Sequence, residues 1–309
     1  MIIMSQWDRF NPNVFYESGV DEEGVVLVKK GRDKYLLAHS LVINTVRKKT
    51  KLEVLPYTKE RFEKTVRGEA VKTDFSYESN WFISFMKKKA RSVEDISGRY
   101  ALKRVKKKKK ELSLMREAAK ISEEALLNAY GKSEEEFKWN LVKEMAKRGA
   151  YEAFPSIVAN KENSRSPHHS PTKEELGDSN ILIDRGARYK NYCSDITDVL
   201  YVKGRAAKLY EELQDVFYEI VDRLPSLEKA GDVHSLYEKL YKKKKLPPMP
   251  HLIGHGVGIE VHEEPRLYKG VDIPIEGSVI ALEPSYYGRS YGLRFERTVY
   301  VGKKKAKIL

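Results

Sequence analysis

Two segments carry acids inside sequence that otherwise reads as buried strand, and this narrows what the chain can fold into. In Ile181–Val199, ILIDRGARYKNYCSDITDV, Asp184 and Asp195 flank a polar, tyrosine-containing middle. Ile181-Leu182-Ile183 reads as one buried strand. Ile196–Val202, rich in β-branched and aromatic residues, reads as a second. The residues between them supply a connection, so the pair is expected to form an antiparallel hairpin. A turn centred between Tyr189 and Lys190 would set the two carboxylates opposite each other. The stretch Val279–Val301 repeats the arrangement, with Glu283 and Glu296 placed symmetrically about Arg289 and Ser290 in a loop bracketed by Gly288 and Gly292. Between the hairpins lies HLIGHGVGIEVH, a glycine-rich run holding His251, His255 and His262. Four carboxylates on buried strands repel unless a cation sits among them. Carboxylate oxygens with imidazole suit hard or borderline divalent metals. Four acids and one histidine are about the ligand count for two ions that share bridging carboxylates.

In order and spacing these residues resemble the ligands of the pita-bread dinuclear metallopeptidases, which include prolidase, aminopeptidase P, methionine aminopeptidase and creatinase. The resemblance is carried by Asp184 and Asp195 in IDRGARYKNYCSDIT, His255 in GHGVGIEVHEEPR, Glu283 in ALEPSYY and Glu296 in LRFERTVYV. It runs from about Glu111 to Val301 and includes FPSIVA at Phe154–Ala159. Upstream, NPNVFYESG at Asn11–Gly19 resembles the small N-terminal domain of the prolidase and aminopeptidase P branch.

The resemblance implies that Asp184 chelates one ion, Asp195 and Glu296 bridge both, and His255 with Glu283 holds the other. Glu283 also occupies the position of the family's proton shuttle. The ions expected are two divalent metals, manganese, cobalt or zinc. His262 in VHEEP and His168 in SPHHSPT match two histidines that donate hydrogen bonds to the substrate carbonyl and the oxyanion. The adjacent His169 leaves the register of His168 open. His251 is expected to line the substrate pocket. Arg266 in EEPR is a candidate for a substrate carboxylate, and Arg294 for orienting a ligand or touching substrate, with a structural ion pair the alternative for each. Four positions depart from the family pattern. Asp198 stands where DITRT has arginine, Arg185 where IDFG or IDLG is usual, Ser285 where EPG is usual, and Arg297 where IED has aspartate. None is a metal ligand, and each can alter the support around one.

The chain has 309 residues, enough for two domains. No run of about 18 apolar residues suggests a membrane span. The start, MIIMSQWDRF, shows no signal-peptide pattern. The single cysteine, Cys193, excludes an intrachain disulfide and fits a reducing cytoplasm; it reads as a small side chain packed in a strand. The net charge of +13 is concentrated in Lys103–Lys110, Lys242–Lys245 and Lys303–Lys305. These runs lack interleaved aromatics, so they read as solvated surface rather than a nucleic-acid site. A lysine- and glutamate-rich composition is also common in hyperthermophile proteins.

Along the chain, Val25–Ala38 reads as strand, turn, strand, and Ser79–Lys89 as a helix. Residues 1–105 are expected to form a small α/β domain and 106–309 the metallopeptidase domain. From Glu111 the spacing is helical, and Ser133 with Glu136 forms a capping box before a helix ended by Gly149. Phe154–Val158 reads as a strand and Asn163–Thr172 as a loop. Ala206–Leu224 reads as a helix, followed by another capped by Asp232. The expected class is α+β, with the helices paired over strands from both acid hairpins. The implied activity is metal-dependent hydrolysis of an N-terminal Xaa-Pro bond, by a homodimer, on dipeptides (prolidase) or longer chains (aminopeptidase P). Other classes are a non-catalytic pita-bread binding protein and a basic nucleic-acid binder. Methionine aminopeptidase fits less well, because NPNVFYESG implies an extra domain.

Overall fold

Short apolar runs build the first sheet, and their alternation gives it two buried faces. The strands are β1 (Ile2–Gln6), β2 (Val25–Lys30), β3 (Asp33–Ala38), β4 (Glu53–Pro56), β5 (Ala70–Thr73) and β6 (Ser92–Asp95), in spatial order β4-β3-β2-β1-β5-β6. Met4, Val25, Leu27 and Leu36 point into one core, whereas Ile3, Val26, Val28 and Leu37 point into another. Helices supply the covers. Residues of α1 (Pro12–Ser18), α2 (Ile43–Lys49) and α5 (Ser97–Val105) fill the first core, and residues of α3 (Lys59–Val66) and α4 (Asn80–Lys89) fill the second. A sheet covered on both sides explains why these strands read as nearly continuous apolar runs. Asn11 caps α1 by accepting from the N–H groups of Asn13 and Val14, Pro12 starts it, and Gly19 ends it at φ 75°. The computed structural model describes residues 1–178 and 180–309, and the chain divides into two units, Met1–Lys103 and Arg104–Leu309.

The second unit begins with α6 (Lys109–Asn128) and α7 (Glu134–Lys147). Ser133 caps α7 from its side chain, and Gly149 follows it at positive φ. The strands β7 (Tyr151–Glu152), β8 (Ile157–Asn160), β9 (Ile181–Arg185), β10 (Ala187–Tyr189), β11 (Tyr192–Cys193) and β12 (Ile196–Leu200) form two small sheets, β11-β10-β7 and β12-β9-β8. After α8 (Gly204–Arg223) and α9 (Ala230–Lys244) come β13 (Gly254–Gly256), β14 (Glu263–Arg266), β15 (Val279–Leu282), β16 (Ser285–Tyr287), β17 (Gly292–Arg294), β18 (Arg297–Val301) and β19 (Ala306–Ile308). Five of these make the sheet β14-β13-β15-β18-β19. Leu213, Phe217 and Ile220 of α8 and Val233 and Leu240 of α9 share one core with Ile280, Leu282 and Val299 of that sheet. No described helix is long and apolar enough to cross a membrane.

Both acid hairpins form, with different fidelity to the sequence reading. In the second, Leu282 pairs with Arg297 and Ser285 with Arg294, which centres the turn between Arg289 and Ser290 as expected. In the first, Asp184 pairs with Thr197 and Tyr189 with Tyr192, so the centre lies one residue later than expected, between Lys190 and Asn191. Both turn residues have positive φ, 47° and 67°, the conformation of a tight two-residue hairpin turn. The shift moves each partner by two, so Asp195 is diagonal to Asp184 rather than opposite it, yet remains on the same face.

Three smaller expectations also change. The strand near Phe154 starts only at Ile157, because Phe154 and Pro155 form an irregular entry and proline has no N–H to pair. Asp232 lies inside α9, accepting from the N–H groups of Glu228 and Lys229 instead of capping from outside. The basic run Lys103–Lys110 is not wholly solvated. The Lys107 side chain is 2% exposed and its Nζ lies 2.8 Å from Glu263, whose carboxylate also draws Arg104 to 3.6 Å.

One buried carboxyl makes the N-terminal unit sensitive to pH. Burial pushes Glu78 up to about 7, against hydrogen bonds donated by Ser5 Oγ, Ser5 N and Thr73 Oγ1. The folded state therefore holds a proton that the unfolded chain, with its carboxyl near 4.5, has released. Stability falls as pH rises between these two values and levels off above them. Urea unfolding of this unit should lose about 2–3 kcal/mol more between pH 5 and pH 8 in the parent than in Glu78→Gln. Equal pH dependence in the two proteins would contradict the assignment.

Candidate metal centre

The two acid hairpins meet edge to edge. Thr197 N donates to Glu296 O at 3.3 Å, and Glu296 N donates back to Thr197 O at 3.1 Å. Beside this bridge, the Thr298 hydroxyl accepts from Asp195 N and donates to Asp195 O, both at 2.9 Å. Backbone pairing thus brings Asp184, Asp195, Glu283 and Glu296 together, and β13, paired to β15, adds His255. Ligand atoms of Asp184, Asp195 and Glu296 lie within 4.8 Å of one another, and so do those of His255, Glu283 and Glu296. Asp195, His255 and His262 make a third such group.

The centre lines a cavity of about 540 Å³. All ten residues singled out in the sequence border it: Asp184, Asp195, His251, His255, His262, His168, Arg266, Glu283, Arg294 and Glu296. Lys138, Phe154, Ile157 and His169 border it too, and sequence reasoning gave them no role.

The electrostatics are those of crowded like charges. Asp195 is pushed well above the usual carboxylate range by burial and by Glu296, Asp184 and Glu283. Glu283 moves the same way through burial and Glu296, and Glu296 rises to about 7 through burial and Asp184. The Oδ1 atom of Asp184 is buried without a hydrogen-bond partner. Burial, with His262 beside it, lowers His255 to about 3, so its ring is neutral at pH 7. His255 Nδ1 lies 3.1 Å from Gly256 O, to which it can donate, leaving Nε2 as a lone pair 3.5 Å from Asp195 and 3.9 Å from Glu283. A buried carboxylate oxygen without a partner, mutually repelling carboxylates and a neutral imidazole fit divalent cations held by oxygen and nitrogen.

The supporting residues explain the departures from the family pattern. Arg294 is an ion-pair partner: Nη2 lies 2.6 Å from Asp184, Nε donates to Thr197 Oγ1 at 3.0 Å and Nη1 to Tyr287 at 3.1 Å. Thr197 in turn donates to Glu296 at 2.5 Å. Thr197 escaped the sequence reading because a threonine in a strand carries no signal of its own. Ser285 Oγ sits 2.9 Å from His251 Nε2, which also lies 3.1 Å from the Tyr287 hydroxyl. On the opposite face from Thr197, Asp198 accepts from Arg185 at 2.9 Å and from Arg297 at 2.7 Å. Arg297 also donates to the carbonyls of Thr197 and Glu296. The three departing charges therefore form one ion-paired cluster behind the ligands, two arginines sharing one aspartate.

The sequence matches the model of metallopeptidase family M24 over residues 113–303. The chain belongs to this family. It is 33% identical over 238 residues to an uncharacterized peptidase of Methanocaldococcus jannaschii, covering 72% of this chain and 68% of that one. It is 29% identical over 324 residues to the Xaa-Pro dipeptidase of Pyrococcus horikoshii, covering 97% and 90%. The solved prolidase from that organism superposes with a TM-score of 0.91 at 26% identity, over 99% of this chain and 92% of the other. The fold is thus the α+β pita-bread fold, and the chain is a metallopeptidase with a divalent metal cofactor.

The charge cluster behind the ligands makes a prediction. Arg185 has a side chain only 2% exposed, and Asp198 is its acidic partner. Removing one member of a buried pair leaves an uncompensated charge. Asp198→Asn should lower unfolding free energy by about 3–5 kcal/mol in urea titration. A loss below about 1 kcal/mol, typical of a surface pair, would show that the cluster is solvated.

Proposed function

We propose that this chain hydrolyses the bond between an N-terminal residue and a following proline, in dipeptides or short peptides. The observation that carries the reading is the pair of donor groups that share Glu296, namely Asp184, Asp195, Glu296 and His255, Glu283, Glu296. It is supported by the likeness to the Pyrococcus horikoshii Xaa-Pro dipeptidase along nearly the whole of both chains. In this reading the unit Met1–Lys103 is the small N-terminal domain of the prolidase branch.

Two divalent ions, manganese, cobalt or zinc, would be held by these five residues, with Asp195 and Glu296 shared. When bound, such ions polarise a carbonyl and lower the pKa of water. The remaining work falls to side chains. Glu283 takes up a proton at its carboxylate and passes it to the leaving proline nitrogen. Its Oε2 lies 3.5 Å from His251 Nδ1. His262 stands edge-on to His255 with ring centroids 4.3 Å apart, and donates to the substrate carbonyl or the oxyanion together with His168. Arg294 fixes Asp184. Arg266 lies across the strand pair from His255 and borders the cavity, where it can grip a free carboxylate in a two-pronged contact. Only a dipeptide presents that carboxylate next to the scissile bond.

The test is hydrolysis of Xaa-Pro dipeptides and longer Xaa-Pro peptides by the manganese-loaded protein. Both should be cleaved, and Glu283→Gln should lose at least ~100-fold in kcat. Arg266→Ala should raise KM for dipeptides by roughly 10- to 150-fold, the weight of about 1.5–3 kcal/mol, and affect longer peptides less. Failure to cleave either class would overturn the reading. Equal KM losses on both classes would make Arg266 structural.

A further inference from the structure

The wall of the cavity that carries His168 is an irregular segment, and one buried acid holds it. Glu134, the first residue of α7, has a side chain with no solvent exposure. Its Oε1 accepts from Asn160 N at 2.7 Å and Asn163 Nδ2 at 2.9 Å. Its Oε2 accepts from Thr172 N at 3.0 Å and Thr172 Oγ1 at 2.9 Å, and lies 2.8 Å from His169 Nε2. Five contacts to one carboxylate gather both ends and the middle of residues 160–172 onto one helix terminus. Backbone bonds reinforce the attachment: Glu134 N donates to Glu174 O and Glu135 N to Thr172 O. A carboxylate in the first turn of a helix is also favoured by the helix dipole.

This attachment separates two adjacent histidines. The turn Ser166–His169 is closed by His169 N donating to Ser166 O at 3.2 Å. The ring of His169 is engaged by Glu134. His168 borders the same cavity as His251 and His262. No motif in SPHHSPT tells the two apart; the partner on α7 does.

We propose that Glu134 is a positioning residue for the peptidase reaction. By holding His169, and with it the turn Ser166–His169, it makes His168 the ring presented to the reacting atoms. The proposal rests on the reading of His168 given above. It predicts a defect in turnover rather than in substrate or metal binding, since Glu134 itself does not border the cavity and is not among the metal-ligand groups.

The experiment is a double-mutant cycle on the metal-loaded enzyme with an Xaa-Pro dipeptide, with bound metal and thermal unfolding measured for every variant. His168→Ala should lower kcat by about 100-fold, the usual cost of one oxyanion donor. Glu134→Gln replaces an acceptor oxygen by an amide that cannot receive all five contacts. It should lower kcat by about 10- to 100-fold, as misplacement of a catalytic group does, with KM and bound metal within about twofold of the parent. In the His168→Ala background the same change should cost less than about twofold, because residues acting as one unit are not additive. Multiplicative losses would overturn the proposal. A His168→Ala enzyme as active as the parent would remove the reading of His168, and the proposal with it. Should Glu134→Gln not fold, His169→Ala cuts the same tether while four contacts remain, and it must show the same non-additivity.

Discussion

Four carboxylates converge in a buried site, and much of the second unit is arranged around their repulsion. Carboxylates brought together out of water raise one another's proton affinity, as Asp195, Glu283 and Glu296 do here. The protein offsets part of this with one fully buried guanidinium. Arg294 faces burial that opposes its charge, yet Asp184, Tyr287 and the two glutamates keep it firmly protonated. One cation against four acids leaves an excess that divalent ions can neutralise. The backbone makes the crowding unavoidable: Thr197 and Glu296 exchange hydrogen bonds, so folding the two hairpins together is the same event as bringing their acids together.

That dependence accounts for what could be read from the sequence. Acids within apolar strand patterns are costly unless partnered, so Asp184, Asp195, Glu283 and Glu296 stand out with no structure in hand. The register of the second hairpin follows from its bracketing glycines. The first hairpin turns one residue later than its acid spacing suggests, because its turn uses Lys190 and Asn191 at positive φ, and a lysine there gives no turn signal. The offset keeps the acids on one face, since a shift of the turn by one residue moves cross-strand partners by two.

What stayed hidden were residues whose meaning lies in distant partners. Arg185, Asp198 and Arg297 each stand out as odd, but their pairing needs β9, β12 and β18 in place. Lys107 was lost in a lysine run, although its side chain is paired with Glu263, 156 residues away. Glu134 reads as one of three acids at a helix start, and its five contacts come from the end of β8 and the segment after it, residues 160–172. Composition reports surface lysines and helix-start acids on average and cannot single out the one that is buried.

The most direct test of the account is whether divalent ions relieve the repulsion. Metal-stripped protein titrated with manganese should bind two ions per chain and unfold at a higher temperature. At 100-fold excess over the dissociation constant, one bound ion adds about 2.7 kcal/mol of stability. Glu296→Gln, which removes a carboxylate shared by both donor groups, should lose most of that gain. An unfolding temperature unchanged by manganese, or a gain of equal size in Glu296→Gln, would contradict the view that these carboxylates are assembled to hold metal.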